Sequence, residues 1–176
     1  MLRSLLKLLP LWLGLATTAC AQTPPAEARV QAPAFQEKLT GLLRFDVPVI
    51  TVQEAHARAD EFVFLDTREP GEYNVSHLPG ARLLGYDRPD FDQLDDLEKD
   101  TPIVLYCSVG YRSERIGRRL RKRGFTQVQN LYGSIFEWMN AGYPVEGPDG
   151  RPTQRVHTYN KKWSQWVDDD AAEKVW

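Results

Sequence analysis

Hydrophobic and polar positions follow two alternating periods along most of this chain. Compact apolar runs, "VPVIT" from Val47, "FVFLD" ending at Asp66 and "TPIVLYC" ending at Cys107, are typical of buried strands. Segments with helical spacing lie between them, and in "SERIGRRLRKRG" Ile116 and Leu120 lie one turn apart on one face. This alternation predicts an α/β domain with a central, mainly parallel sheet that is flanked by helices.

The other elements fit the same alternation. "FDQLDDLEKD" predicts an acidic surface helix, "FTQVQNLYG" a strand, and "SIFEWMNAG" an amphipathic helix that ends at Gly142 and Pro144. Ser113 is a candidate N-cap for the helix that follows Cys107. Gly117 should let that helix pack closely against its neighbours, because glycine has no side chain.

The N-terminus has the pattern of a secretory signal peptide, since Arg3 and Lys7 precede an apolar stretch that ends in small residues. Two interpretations of its end stay open. "TTAC" resembles a lipobox, in which Cys20 would carry a lipid and tether the protein to a membrane, although Thr17 stands where leucine is usual. The same small residues also fit ordinary cleavage by signal peptidase. Either way we expect export to a bacterial periplasm or cell envelope, with Cys107 as the free thiol of the mature protein.

Composition divides the chain into four parts. The segment after the signal is rich in Pro and Ala and lacks hydrophobic periodicity, which predicts an extended tether. Near the C-terminus, Trp163, Trp166 and Val167 have helical spacing and favour a segment that packs back on the domain, although a partner-binding tail stays open. The parts are a signal peptide (1–20), a tether (21–44), an α/β domain (45–147) and a C-terminal extension (148–176).

Charge argues against nucleic acid as a partner. The chain has 22 Lys and Arg against 24 Asp and Glu, a formal net charge of -2. Its strongest basic cluster lies between Arg112 and Arg123, without interleaved aromatic side chains on which bases could stack. We expect a solvated helix face there, while an anion funnel and a surface for an acidic partner stay open. His56, His77 and His157 show no metal-ligand spacing, so we expect no metal, and we expect a monomer.

The segment "CSVGYRS", residues 107–113, joins a buried strand to the basic helix. Ligands of parallel sheets bind at the carboxyl ends of strands, and the N-terminus of a helix favours an anion. Gly110 lets the loop curl so that several N–H groups converge, and Arg112 adds a fixed positive charge. The loop is therefore suited to a thiolate on Cys107; the alternative is an inert, buried cysteine.

Three blocks of the chain resemble the signature blocks of the rhodanese (thiosulfate:cyanide sulfurtransferase) family. They are "VFLDTREPGEYNVSHLPGA", "VLYCSVGYRSERIGRRLRKRGF" and "VQNLYGSIFEWMNAGYPV", and the match spans roughly residues 47 to 146. The resemblance implies a rhodanese-like three-layer fold and a covalent persulfide on Cys107, with no cofactor. It also implies that sulfane sulfur passes from a small anionic donor such as thiosulfate to cyanide or a thiol, which could be a protein thiol.

The site residues follow from this resemblance and from the loop chemistry. The Cys107 thiolate would attack the donor's outer sulfur, while Arg112 would hold the sulfonate oxygens by charge-assisted hydrogen bonds. Backbone amides of the loop would cradle the persulfide. The predicted binding loop consists of Ser108, Val109, Gly110, Tyr111 and Ser113.

Four more residues are expected to support the site. Asp66 and Arg68 match a family motif at the end of a neighbouring strand, and Glu72 lies within reach of Arg68 across a turn. We interpret them as an ion pair and a turn network behind the site. His77 is a candidate general base, but a structural role is favoured because an ionised thiol has no proton to give up.

Spacing separates the two chemistries that this fold hosts. Four residues lie between Cys107 and Arg112, whereas the cysteine-based phosphatases that resemble this family have five, which makes room for a phosphate. The spacing favours sulfur transfer over phosphatase or arsenate reductase chemistry. A non-catalytic persulfide or anion-binding module, acting as a sulfur carrier or sensor, stays open as an alternative.

Overall fold

The computed structural model describes residues 26 and 28–176, so the predicted signal peptide and Cys20 lie outside the described residues. Five strands form one sheet in which every pairing is parallel, as the apolar runs predicted. The strands are β1 (Val49–Ile50), β2 (Val63–Asp66), β3 (Arg82–Leu83), β4 (Ile103–Tyr106) and β5 (Val128–Leu131). Their order is β1-β5-β4-β2-β3, which puts β4 at the centre.

Helices cover both faces of this sheet. Short 3₁₀ helices at Ala59–Glu61, Phe91–Leu94 and Ser164–Trp166 complete the connections. The α-helices are α1 (Pro33–Leu42), α2 (Val52–Ala57), α3 (Pro70–Tyr73), α4 (Tyr111–Lys122) and α5 (Ser134–Asn140).

The central strand β4 is buried on both faces, because successive side chains point to opposite sides. Leu105 belongs to the apolar cluster that contains Ile116 of α4, whereas Tyr106 belongs to the cluster that contains the buried side chains of α1, α2 and α5. At Gly117 of α4, a Cβ atom would lie 3.2 Å from Leu105, so the absence of a side chain permits the close packing that the sequence predicted. The reactive end of β4 is thereby held between two packed layers.

The prediction of an extended tether over residues 21–44 is wrong for its second half. Residues 33–42 form α1, and Phe35 and Leu39 are completely buried. Proline at the start of this helix is compatible with helix geometry, since the first N–H groups need no partner inside the helix. α1 is therefore part of the folded domain.

Two other segments have a different structure from the one that the sequence predicted. The acidic segment predicted as a surface helix has only one 3₁₀ turn, Phe91–Leu94, followed by turns and bends. α5 is buried over nearly all its length instead of being amphipathic, because α2, β4 and the extension surround it. Burial on all sides also includes Glu137, whose carboxyl group is fully enclosed.

The C-terminal extension packs back on the domain, as the spacing of its apolar residues suggested. Trp166 stacks on Phe35 of α1 with ring centroids 5.3 Å apart, and Val167 is buried. The helical spacing produces only the 3₁₀ turn Ser164–Trp166. Small two-stranded sheets accompany it: β6 (Val145–Glu146) with β7 (Pro152–Thr153), and β8 (Arg155–His157) with β9 (Glu173–Val175). Across residues 28–176, none of the helices has the length and apolar character needed to cross a bilayer.

Candidate functional site

The structure places Cys107 directly after β4, at the carboxyl end of the central strand, with 1% of its surface exposed. The Gly110 N–H donates a hydrogen bond to the sulfur at 3.1 Å. The backbone N–H groups of Ser113 and Val109 also lower the pKa of the Cys107 thiol. The loop thus forms a ring of donors around one atom, an arrangement that stabilises an anion.

Gly110 gives the loop its shape. Its φ of 109° is a conformation that glycine adopts readily, and it is the N-cap of α4, which begins at Tyr111. Ser113 is therefore not the N-cap that the sequence suggested. It lies inside the first turn, where its hydroxyl donates to Asn130 Oδ1 at 2.6 Å. Asn130 in turn donates to the Gly110 carbonyl at 3.0 Å, which ties the loop to β5.

The electrostatics of the loop favour ionisation of the thiol. Burial opposes the thiolate, but the charge of Arg112 and the N–H groups of Ser113, Gly110 and Val109 outweigh burial and lower the pKa of Cys107. The positive end of the α4 dipole acts in the same direction. The result is a buried sulfur with increased thiolate character.

Arg112 has a carboxylate partner that the sequence did not assign to it. Its two terminal nitrogens each lie 2.6 Å from a carboxylate oxygen of Glu72, and one also donates to Ser108 Oγ at 3.0 Å. Glu72 was expected to lie near Arg68, but α3 presents it to α4 instead. Burial raises the pKa of Glu72, but the bonds from Arg112 lower it more, so the carboxylate stays ionised. Arg112 therefore belongs to an ion pair with Glu72, which uses two of its five N–H donors.

Asp66 and Arg68 form a second ion pair behind the site. Arg68 donates to Asp66 at 2.6 Å and to the Ser76 carbonyl at 2.6 Å, and both charged side chains are completely buried. Burial disfavours the charged guanidinium, but Asp66 more than offsets this and raises the pKa of Arg68. The pair closes the end of β2, in line with the network predicted from the sequence.

His77 is engaged by Tyr73 and Glu146. Its ring stacks on Tyr73 with centroids 3.8 Å apart, and Nδ1 lies 3.1 Å from the Tyr73 carbonyl oxygen. Nε2 lies 3.5 Å from Glu146. These contacts fit the structural role better than a general base.

Most basic residues of the cluster between Arg112 and Arg123 contact other side chains. Arg118 pairs with Asp46 at 2.7 Å, and the guanidinium groups of Arg119 and Arg123 lie over the Phe91 ring. These internal contacts engage part of the positive charge that the sequence analysis considered for binding an anion or an acidic partner. In residues 28–176, no cluster of three or more His, Cys, Asp or Glu side chains could hold a metal ion.

A pocket of about 350 Å³ opens above Cys107. The sequence predicted that the Cys107 loop lines a binding site, but it did not predict most of the other residues that line this pocket. Tyr159 and Trp163 reach it from the C-terminal extension, and Leu42 reaches it from α1. No periodicity marks Tyr159 as a site residue. The lining side chains are Leu42, Glu69, Tyr86, Asp87, Cys107, Ser108, Val109, Tyr111, Arg112, Tyr159 and Trp163.

Comparison with known proteins identifies the central part of this chain. Residues 51–141 match the rhodanese-like domain family, which is more than half of the chain. A sulfurtransferase of Allochromatium vinosum is 30% identical over 94 residues, which cover 53% of this chain and 87% of that protein. The thiosulfate sulfurtransferase GlpE of Pseudomonas fluorescens is 33% identical over 105 residues, covering 58% and 94%.

The solved structures agree with these matches. The rhodanese-like domain of the Alr3790 protein from Anabaena superposes with a TM-score of 0.53 at 27% identity, covering 57% of this chain and 79% of that domain. The matched region contains Cys107, Arg112 and Glu72 but neither α1 nor the extension. The pocket walls from α1 and the extension thus lie outside the residues that match the family.

Proposed function

This chain belongs to the rhodanese-like domain family, and from that premise we propose that it is a sulfurtransferase whose Cys107 carries the sulfur as a persulfide. The donor is thiosulfate or a related sulfane compound, and the acceptor is a thiol or cyanide. The observation that carries the proposal is the ring of N–H donors around a buried sulfur whose pKa is lowered. The cycle needs no metal or cofactor.

In the first half-reaction the Cys107 thiolate attacks the outer sulfur of thiosulfate. A bond forms between the two sulfurs, the S–S bond of thiosulfate breaks, and sulfite leaves with the electron pair. The N–H groups that face the Cys107 sulfur stabilise the negative charge of the resulting persulfide. The charge of Arg112 stabilises the Cys107 thiolate, and the N–H donors that do not bind Glu72 are available to the sulfonate oxygens of the donor.

In the second half-reaction an acceptor attacks the outer sulfur of the persulfide. The bond between the acceptor and that sulfur forms while the bond to Cys107 breaks, and Cys107 leaves as a thiolate. With cyanide the product is thiocyanate, and with a thiol it is a new persulfide. A thiolate that the loop already stabilises is a good leaving group.

Intact mass tests the proposal directly. The full chain is weighed before and after thiosulfate, and again after cyanide, beside Cys107→Ser and Cys20→Ser. We expect the wild type and Cys20→Ser to gain one sulfur atom that cyanide removes as thiocyanate, and Cys107→Ser to gain none. If Cys107 gains no sulfur from thiosulfate, polysulfide or mercaptopyruvate, the proposed function is wrong.

Turnover separates an enzyme from a carrier. An enzyme forms thiocyanate continuously from excess thiosulfate and cyanide, whereas a carrier module loads once and discharges only to its partner. Release of phosphate from an aryl phosphate would indicate phosphatase chemistry instead. We also propose that the protein acts as a monomer outside the cytoplasm, secreted or tethered through a lipid on Cys20.

A further inference from the structure

Three side chains that wall the pocket above Cys107 come from outside the matched family region. Leu42 lies at the end of α1, and Tyr159 and Trp163 lie in the C-terminal extension. The family match covers residues 51–141 only. These three residues, which we call the flanking wall, therefore give the pocket a surface that the matched region of this chain does not supply.

The N-terminal part of this wall is anchored to the active-site helix. Glu114 of α4 is buried, and its carboxylate accepts hydrogen bonds from the N–H groups of Arg44 at 3.1 Å and Phe45 at 2.6 Å. These two residues follow Leu43, the C-cap of α1. The contact fixes Leu42 relative to the Cys107 loop, because both are attached to the first turn of α4.

The C-terminal part places two aromatic rings at the mouth of the pocket. Tyr159 is 56% exposed and has a φ of 65°, a strained conformation for a tyrosine. Its N–H donates to His157 Nδ1 at 3.1 Å, and its ring lies 5.5 Å from the Arg112 guanidinium. The half-buried Trp163 packs against the core of the domain. A large, exposed aromatic ring is thus held in a fixed position beside the site.

The charges around the pocket point to the same class of ligand. Glu69 and Asp87 add two carboxylates to the lining, while the guanidinium of Arg112 is paired with Glu72. Like charges disfavour an acceptor whose additional negative group lies beside Glu69 and Asp87, whereas the smaller thiosulfate ion can lie beside Arg112 at the floor of the pocket. A volume of about 350 Å³ is in the range of sites for small organic ligands.

Resting on the proposed sulfurtransferase function, we propose that the acceptor is a small organic thiol with an apolar or aromatic group and no further negative charge. Leu42, Tyr159 and Trp163 bind that group and determine this specificity. The acceptor thiolate attacks the outer sulfur of the Cys107 persulfide, so that a new S–S bond forms, the bond to Cys107 breaks and the Cys107 thiolate leaves. The sulfur atoms keep the same total oxidation state in this exchange, so the step needs no oxidant or reductant.

The test compares the discharge of sulfur-loaded protein by three thiols, with each rate divided by the rate at which the same thiol reduces a small disulfide at the same pH. Loading of Cys107 is first verified by mass, and the loss of that sulfur is then followed with 2-phenylethanethiol, 2-mercaptoethanol and mercaptosuccinate. We expect the wild type to prefer 2-phenylethanethiol over 2-mercaptoethanol by about tenfold, as burial of part of one phenyl ring provides. Mercaptosuccinate should be the slowest acceptor.

Variants assign the preference to the flanking wall. Tyr159→Ala and Trp163→Ala should reduce the ratio between the first two thiols several-fold, and Tyr159→Phe should keep it. Trp176→Ala is the matched control, because Trp176 is an exposed aromatic residue of the same extension outside the pocket. Normal loading with equal rates for the two neutral thiols, or an unchanged ratio in both alanine variants, would refute this inference and leave the sulfurtransferase proposal intact.

A second measurement examines the wall without any sulfur transfer. Unloaded Cys107 is alkylated with N-phenylmaleimide and with N-(2-hydroxyethyl)maleimide, and we expect Tyr159→Ala to lose selectivity for the phenyl compound. If loading fails while this selectivity is present, the proposed function is wrong but the apolar binding site is supported. Equal rates with both maleimides would contradict the binding site itself.

Discussion

Two arginine–carboxylate pairs lie close together at the ends of neighbouring strands, yet their surroundings differ. Arg68 and Asp66 are completely buried and do not line the pocket above Cys107, whereas Arg112 keeps 14% of its side chain exposed and does line it. Both pairs have contacts of 2.6 Å. Burial decides how much a pair matters for folding, and distance from the sulfur decides how much it matters for chemistry. The comparison assigns the first pair to stability and the second to reactivity.

Loss of Arg68 should have the largest effect, because it leaves a buried carboxylate without its charged partner. We expect Arg68→Met to lower the free energy of unfolding by about 3–5 kcal/mol, measured by urea denaturation. The double variant Asp66→Asn/Arg68→Met should recover part of that loss. In this folded double variant the pKa of Cys107, followed by alkylation against pH, should remain that of the wild type. A large shift of that pKa would mean that the two pairs are not separate in function.

Glu137 sharpens the comparison, since it is a buried carboxyl group without an arginine. Burial raises its pKa from 4.5 to about 7, although the Gln31 N–H, which donates at 2.8 Å, opposes the shift. In the unfolded chain the group ionises at lower pH, so its contribution to stability is lost as the pH rises from about 4.5 to 7. The expected loss is roughly 3 kcal/mol of unfolding free energy.

Glu137→Gln removes this titration. The variant and the wild type should have similar unfolding free energies near pH 4.5, and the variant should be more stable at pH 8. Glu37→Gln, at an exposed position of α1, is the control that should follow the wild type at both pH values. A constant difference between Glu137→Gln and wild type across this range would show that Glu137 does not titrate with a raised pKa.

The sequence was most informative where local signals act within one element. The position of Cys107 at the end of β4 follows from a continuous apolar run. Gly110 marks the turn because the turn needs a positive φ, which glycine adopts readily. The partner of Glu72 could not be predicted, since it depends on the approach of α3 to α4 in space. Tyr159 gave no signal either, because its place in the pocket is set by the packing of the whole extension.

One element that was not predicted, α1, does have a signal in the sequence. Phe35, Leu39 and Leu42 are spaced by four and three residues, as on one face of a helix, but the surrounding Pro and Ala residues suggested a tether instead. The Pro and Ala content was given more weight than the helical spacing of the apolar residues, so α1 was not predicted. α1 matters for function, since its residue Leu42 lines the pocket above Cys107.

Removal of Arg112 tests the reactive pair and should have the smallest energetic effect of the three changes. In Arg112→Met the positive charge beside the sulfur is gone and Glu72 is left unpaired nearby, so both changes raise the pKa of Cys107. Alkylation of Cys107 at pH 7 should then slow about tenfold, which corresponds to roughly 1.4 kcal/mol, and its pH profile should move upward.

Two further variants make the result specific to the charge of Arg112. Arg112→Lys keeps the charge but not the two-pronged bond to Glu72, so it should recover part of the rate. Arg115→Met removes an exposed arginine of the same helix and should behave as the wild type. An unchanged pH profile in Arg112→Met would mean that backbone N–H groups alone stabilise the thiolate. The Glu72–Arg112 pair would then share the structural role of Asp66–Arg68, and the contrast between the two pairs would disappear.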